Sequence, residues 1–170
     1  KGINVRYAYD ILNRLTDVDF PDDPDISYAY DQGPFAMGRL TGVTDQSSST
    51  GFGYDERGRL VEKRSTVYGI DYLLSRSYSP GGRVNTISYP TGRTIDFIRA
   101  ECACRVDAIY SDYNGERVTL MENLTYRPFG SAEGMDTASG GSVSNVSDSA
   151  GRLRVANPGE PTERTFEYYP

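Results

Sequence analysis

One short pattern recurs along these 170 residues and constrains the fold more than any other feature. Self-similarity at a fixed period marks a chain built from repeating supersecondary units. The clearest copy is Tyr54-Asp55-Glu56-Arg57-Gly58-Arg59-Leu60. Tyr9-Asp10-Ile11-Leu12-Asn13-Arg14-Leu15 carries Asn in the Gly position, and Tyr78-Ser79-Pro80-Gly81-Gly82-Arg83-Val84 carries Ser-Pro in the turn. Tyr30-Asp31 reaches Gly38-Arg39-Leu40 only after four extra residues. Fainter copies lie at Ala100-Glu101-Cys102-Ala103-Cys104-Arg105-Val106, at Tyr126-Arg127-Pro128-Phe129-Gly130-Ser131-Ala132 and at Ser147-Asp148-Ser149-Ala150-Gly151-Arg152-Leu153. The residue that closes each turn falls at 14, 39, 59, 83, 105, 131 and 152, a mean interval of 23.

Each copy reads as a turn between two strands. Alternation of the kind in Tyr7 and Tyr9, Tyr28 and Tyr30, or Phe52 and Tyr54 sets successive rings on one face of a strand. Asp then accepts backbone N–H bonds two or three residues on, Gly supplies a positive φ, and Arg followed by Leu or Val restarts a strand. Second turns fall between copies, at Tyr89-Pro90-Thr91-Gly92-Arg93 and at the Asn114-Gly115 hairpin signal. One repeat is therefore about one β-hairpin. Strands are expected near 3–9, 39–44, 50–54, 59–67, 72–78, 83–89, 93–99, 105–110, 117–126, 152–156 and 164–169. Residues 98–109 also fit a short amphipathic helix, but their alignment to the repeat favours a strand. Residues 17–25, acidic and interrupted by Pro, and 131–149, rich in Gly and Ser, read as mobile loops. The expected fold is all-β: tandem β-hairpin repeats side by side in one continuous coiled antiparallel sheet, a single array over residues 1–170.

Composition agrees and narrows the function. Ile, Leu, Val and Phe make up only 34 residues, but 14 Tyr add large rings that favour half-buried pleated surfaces. A net charge of -6 disfavours a duplex-binding protein, which needs a basic stripe. No run of 18 apolar residues is present to form a membrane-spanning helix. His is absent, which removes the commonest general base and the commonest transition-metal ligand. Arg outnumbers Lys 16 to 2, and its planar fork suits carboxylates and aromatic rings, here abundant within the chain. The opening Lys1-Gly2, without Met or a leader pattern, reads as a mature or excised piece.

The period, the Tyr-Asp-x-x-Gly-Arg-Leu core and the Tyr126-Arg127-Pro128-Phe129-Gly130 variant resemble the YD repeats of the Rhs family over nearly the whole chain. That family includes bacterial wall-associated and polymorphic toxin proteins, shell subunits of insecticidal toxin complexes, and teneurins, whose repeats coil into hollow shells. The resemblance implies a non-enzymatic scaffold or encapsulating role, secretion or surface display in a bacterium, and in some members carbohydrate or cell-surface binding. It supplies no active site. The Pro-x-x-x-x-Asp-Pro-x-Gly autoproteolytic motif of toxin-bearing members is missing, since Asp23-Pro24 runs on into Asp25-Ile26.

The residues expected to matter are therefore structural: Tyr9, Asp10 and Arg14; Tyr30, Asp31, Gly38 and Arg39; Tyr54, Asp55, Gly58 and Arg59; Tyr78, Gly82 and Arg83; Arg105; Tyr126 and Gly130; Asp148, Gly151 and Arg152. Asp17, Asp19, Asp22, Asp23 and Asp25 are dense enough to ligate calcium, though they lack the Gly and closing Glu of a helix-loop-helix calcium site; a solvated acidic loop is the plainer reading. Cys102 and Cys104 lie two apart, where a mutual disulfide would be strained, leaving a buried reduced pair or an intermolecular bridge. No other cofactor is expected. Open strands at both ends of such an array would pair with further repeats or with copies of the chain, as a shell wall or a self-associating surface filament. The alternative is a cell-surface carbohydrate-binding module with a Tyr-lined face.

Overall fold

The computed structural model describes residues 4–99, 105–128, 130–157 and 164–167. Contacts gather the chain into two compact units, Lys1–Ser77 with Ile87–Thr91, and Tyr78–Thr86 with Gly92–Pro170. The first holds β1 (Arg6–Tyr9), β2 (Leu15–Asp19), β3 (Ile26–Tyr30), β4 (Leu40–Thr44), β5 (Ser48–Tyr54), β6 (Leu60–Val67) and nearly all of β7 (Ile70–Tyr78). Strand β8 (Val84–Ser88) is divided between them. The second holds β9 (Thr94–Arg99), β10 (Val106–Tyr113), β11 (Glu116–Tyr126), β12 (Ala132–Thr137), β13 (Ser142–Ser147), β14 (Leu153–Asn157) and β15 (Arg164–Thr165). Within each unit the strands lie in chain order in an antiparallel sheet, each beside its sequence neighbours. The all-β expectation holds.

This order follows from the turns. Every connection is short, so each strand must fold back on its predecessor. Asn114 and Gly115, at φ 53° and 82°, make the hairpin between β10 and β11 that Asn-Gly encodes. Tyr68 and Gly69, at φ 48° and 78°, make the same kind of two-residue turn between β6 and β7, with Val67 facing Ile70. At 98–109 the described residues are strand on both sides, β9 ending at Arg99 and β10 starting at Val106, as the repeat alignment favours.

Two loop expectations need correction. Residues 17–25 are not one loop: Asp17 to Asp19 belong to β2, with Asp17 opposite Ser27 and Val18 opposite Ile26, and only 20–25 connect it to β3. Residues 131–149 contain all of β12 and β13, paired from Gly134 with Ser144 to Asp136 with Ser142. Composition hides these strands because the ladder uses backbone N–H and C=O groups, which Ser, Gly and Asp own as fully as Val does.

No large side chain among the described residues is sealed from water; the most buried are Val18, Ala36, Thr41, Ala108 and Ser111. Within each unit the side chains are mostly half-covered, shielded by cross-strand neighbours, the ordinary unit of sheet stabilisation.

Candidate functional site

The repeated motif builds one turn many times. In the first copy Asp10 N–H donates to Arg14 O and Asn13 N–H to Asp10 O; the copies at Asp55, Ser79, Arg127 and Asp148 repeat this pair of bonds. The residue before the closing Arg takes a left-handed conformation, at φ 60° for Asn13 and 74° to 82° for Gly58, Gly82 and Gly151. Asn is the side chain that best tolerates that region after Gly, which explains the substitution at 13. The strand pairing slips by one residue at the turn, so that Tyr9 faces Leu15, Tyr30 faces Leu40, Tyr54 faces Leu60, Tyr126 faces Ala132 and Ser147 faces Leu153. Such a bulge re-aims the side chain at the bulged position.

The carboxylate ties the turn from inside. Asp10 Oδ1 accepts from Leu12 N and Arg14 N, both at 2.9 Å, while Oδ2 takes Arg14 Nε at 2.7 Å. Asp55 with Arg57 and Arg59, and Asp148 with Ala150 and Arg152, reproduce this three-bond pattern. These donors favour the charged form. The Arg14 backbone N–H and then its guanidinium hold the Asp10 carboxyl below its usual range; the Arg59 guanidinium does so first for Asp55, and the Arg152 backbone N–H for Asp148.

A second set of contacts joins each repeat to the next. The Tyr30 hydroxyl donates to Leu15 O at 2.9 Å, Tyr54 to Leu40 O at 2.7 Å and Tyr126 to Val106 O at 2.7 Å. In each case the acceptor follows the closing Arg of the previous repeat, and that Arg lies over the Tyr ring: Arg14 at 4.4 Å, Arg39 at 5.6 Å and Arg105 at 5.0 Å. The same guanidinium continues into the next turn. Arg14 clasps both oxygens of Asp31, at 3.1 and 2.7 Å; Arg39 donates to Gly58 O at 3.2 Å; Arg105 donates to Arg127 O at 2.7 Å. Asp31 is thus held below its usual range first by Arg14, a neighbour's residue, and then by the Gly38 N–H. The four extra residues after Asp31 draw its own Arg39 away, to the carbonyls of Phe35 and Met37.

Where the motif is degraded, the seam changes. Ser131 replaces the closing Arg of the sixth copy and Ser147 the Tyr of the seventh, so neither half of the stack remains. Arg127, in the Asp position, reaches across to Asp148 O at 3.4 Å instead, and an open groove lined by Arg127, Ser131, Ala150 and Gly151 occupies the place.

These interlocked turns are what the comparisons bear on. Residues 36–69 match the family model for the RHS Repeat. Two similar solved structures are the crystal structure of TcdB2-TccC3, at TM-score 0.68 and 12% identity, and the Photorhabdus luminescens Tc holotoxin pore, at TM-score 0.65 and 11% identity. They are matched over 98% and 97% of this chain but over 11% of their own length in each case. Residues 36–69 carry an RHS repeat. No protein of curated function matches it by sequence.

The remaining candidates fall as follows. Asp17 and Asp19 stand in β2, and Asp22, Asp23 and Asp25 in the connector that follows; Asp17 accepts from the Ser27 hydroxyl and Asp25 from Phe20 N. Among the described residues no three carboxylates or thiols converge as a metal site. Cys102 and Cys104, and most of the repeat at Ala100, lie outside the described residues. A cluster not anticipated from sequence lies toward the other turns of the second unit. Arg117 clasps Asp112 at 2.7 Å, reaches Asp96 at 2.6 Å and lies over the Tyr110 ring at 5.2 Å, while Arg93 lies over Tyr113 at 5.4 Å. The linked loss at Ser131 and Ser147 was the one sequence signal that Arg and the following Tyr act together.

Proposed function

We propose that this chain is a non-catalytic structural segment: part of the wall of a bacterial, secreted YD-repeat β-shell. The observation that carries the reading is a broad antiparallel sheet whose described side chains form no sealed core. Such a sheet suits a wall whose edges are continued by more sheet. The matches to TcdB2-TccC3 and the Tc holotoxin pore support the same reading, because this chain spans about a tenth of their length. Two further features support a scaffold over an enzyme. The chain has no His, and the lowered carboxylates are all committed to turn N–H groups, to Arg, or to Asn and Ser partners.

The carbohydrate-binding alternative has weaker support. Tyr30, Tyr54 and Tyr126 have their rings stacked by Arg and their hydroxyls spent on backbone carbonyls, which leaves little face for a sugar. Its remaining basis is exposed rings such as Tyr68 and Tyr72.

The test combines the reading frame around these 170 residues with single-particle imaging of its product. Continuation of the Tyr-Asp-x-x-Gly-Arg period and a hollow particle are the expected results. A product limited to these repeats that images as small solid particles would overturn the wall reading.

A further inference from the structure

We infer that the β1 edge is a socket for one kind of strand: a strand leaving a YD-type turn and beginning with Arg followed by an apolar residue. The inference deepens the wall reading by naming the chemistry that covers this edge. It comes from two nearly identical segments in different surroundings. Tyr7-Ala8-Tyr9-Asp10 at the end of β1 matches Tyr28-Ala29-Tyr30-Asp31 at the end of β3. Strand β3 lies against β2, and there the Arg14-Leu15 pair caps Tyr30: the guanidinium stands over the ring and grips Asp31, while the Leu15 carbonyl takes the hydroxyl. Tyr28 and Tyr30 are half-buried as a result. Among the described residues no strand lies beyond β1. Tyr7 and Tyr9 are 58% and 56% exposed, and the Tyr9 hydroxyl has no hydrogen-bond partner among the described residues.

The three described seams state what is missing. Each supplies one guanidinium over the ring and one carbonyl from the residue after that Arg. Asn13 selects among them. Arg39 lies against the Cα of Gly58, where a Cβ would collide with it, so an Arg of that kind is blocked by the side chain at 13. Arg14 and Arg105 instead reach the residue in the Asp position of the next turn, at the Asp31 carboxylate and the Arg127 carbonyl, and at Asp10, whose carboxylate Arg14 already clasps, the carbonyl offers an equivalent Arg what Arg127 offers Arg105. Strand direction excludes a simpler occupant. Within each unit, strands that enter a motif run one way and those that leave it run the other, so β1, which enters, needs a partner that leaves. The last strand among the described residues, β15, pairs antiparallel with β14, which leaves a motif, and so is also of the entering kind. A head-to-tail copy therefore brings the wrong strand, which argues against a filament built by β15 on β1.

The test grafts the known seam onto the open edge. Residues 14–25, placed directly before Val5 in lieu of residues 1–4, set Arg at the same distance from Tyr9 as Arg14 lies from Tyr30. In the extended chain, Tyr9→Phe is expected to raise the unfolding equilibrium constant about five-fold, the effect of one lost hydrogen bond, and Arg→Ala in the graft to cancel the stabilisation the graft brings. In the original chain Tyr9→Phe is expected to change it less than about two-fold. Equal effects of Tyr9→Phe in the two chains, or a graft indifferent to Arg→Ala, would overturn the socket. Should the extended protein fail to fold, a synthetic peptide of residues 14–25 is titrated into the original chain. Movement of the Tyr9 ring resonances with this peptide but not with its Arg→Ala form supports the inference, and a still ring contradicts it. Concentration-dependent dimers or filaments lost on changing Tyr9 would show that a second copy occupies the edge and would also contradict it. The measurement needs no particle, so a working socket with no hollow shell, or the reverse, separates this inference from the wall reading.

Discussion

Where a motif carries Asp, the carboxylate does work that its charge alone would not. Asp10, Asp55 and Asp148 each accept two backbone N–H bonds and one Arg Nε, and Asp31 takes a guanidinium from the repeat before it. All four are held below the ordinary value near 3.8, and Arg14 is raised by Asp31 and then Asp10. A carboxyl whose native pKa is lowered contributes stability above its unfolded value and loses it as pH falls through that value toward the native one. Stability is therefore expected to fall below about pH 4. Between about pH 5 and 8 it stays level, because no His titrates there. Urea midpoints against pH measure this, and Asp55→Asn should flatten the acid limb; a slope centred near pH 6.5 would contradict the assignment. The aspartates were legible in the sequence as turn caps. The clasp of Asp31 by an Arg from the previous repeat was not, because Arg14 and Asp31 are 17 residues apart and nothing local links them.

At the scale of the element, the unit is a turn whose glycine answers to two masters. Gly58 sits at φ 74° and also lies beneath the Arg39 guanidinium, so an added Cβ would meet both strain and that side chain. Gly92, at φ 83°, has nothing within 4 Å of the same position. Gly92→Ala is expected to cost about 1 to 2 kcal/mol, the strain alone. Gly58→Ala should cost about 1 kcal/mol more, because displacing Arg39 breaks its bond to Gly58 O. Paired denaturation curves measure the difference, and equal costs would mean that Arg39 does not dock there. The motif turns, the Asn114-Gly115 hairpin and most of the apolar strands could be read directly, since each carries its own side-chain signal. Strands β2, β3, β12 and β13 could not all be read from composition: Pro and Asp near β2, and Ser and Gly in β12 and β13, suppress the alternation on which strand reading depends.

Across the molecule, stability comes from neighbours instead of from an enclosed core. A hairpin alone is marginal, and within each unit neighbours hold it through backbone ladders and, at the three described seams, through Arg over Tyr. Degraded copies fit the same logic, with Arg127 bridging where Ser131 and Ser147 have displaced the usual pair. A chain organised this way gains from every repeat added at an edge, which is why the wall reading and the β1 socket belong together. The central claim is that consecutive repeats interlock, Arg of one over Tyr of the next. Solution NMR tests it most directly, through nuclear Overhauser contacts from the Tyr30 and Tyr54 rings. The predicted result is contact with the side chains of Arg14 and Arg39 respectively, together with cross-strand contacts between Tyr30 and Leu40. Rings that contact only their own hairpin would contradict it, as would helical sequential contacts across the motif turns.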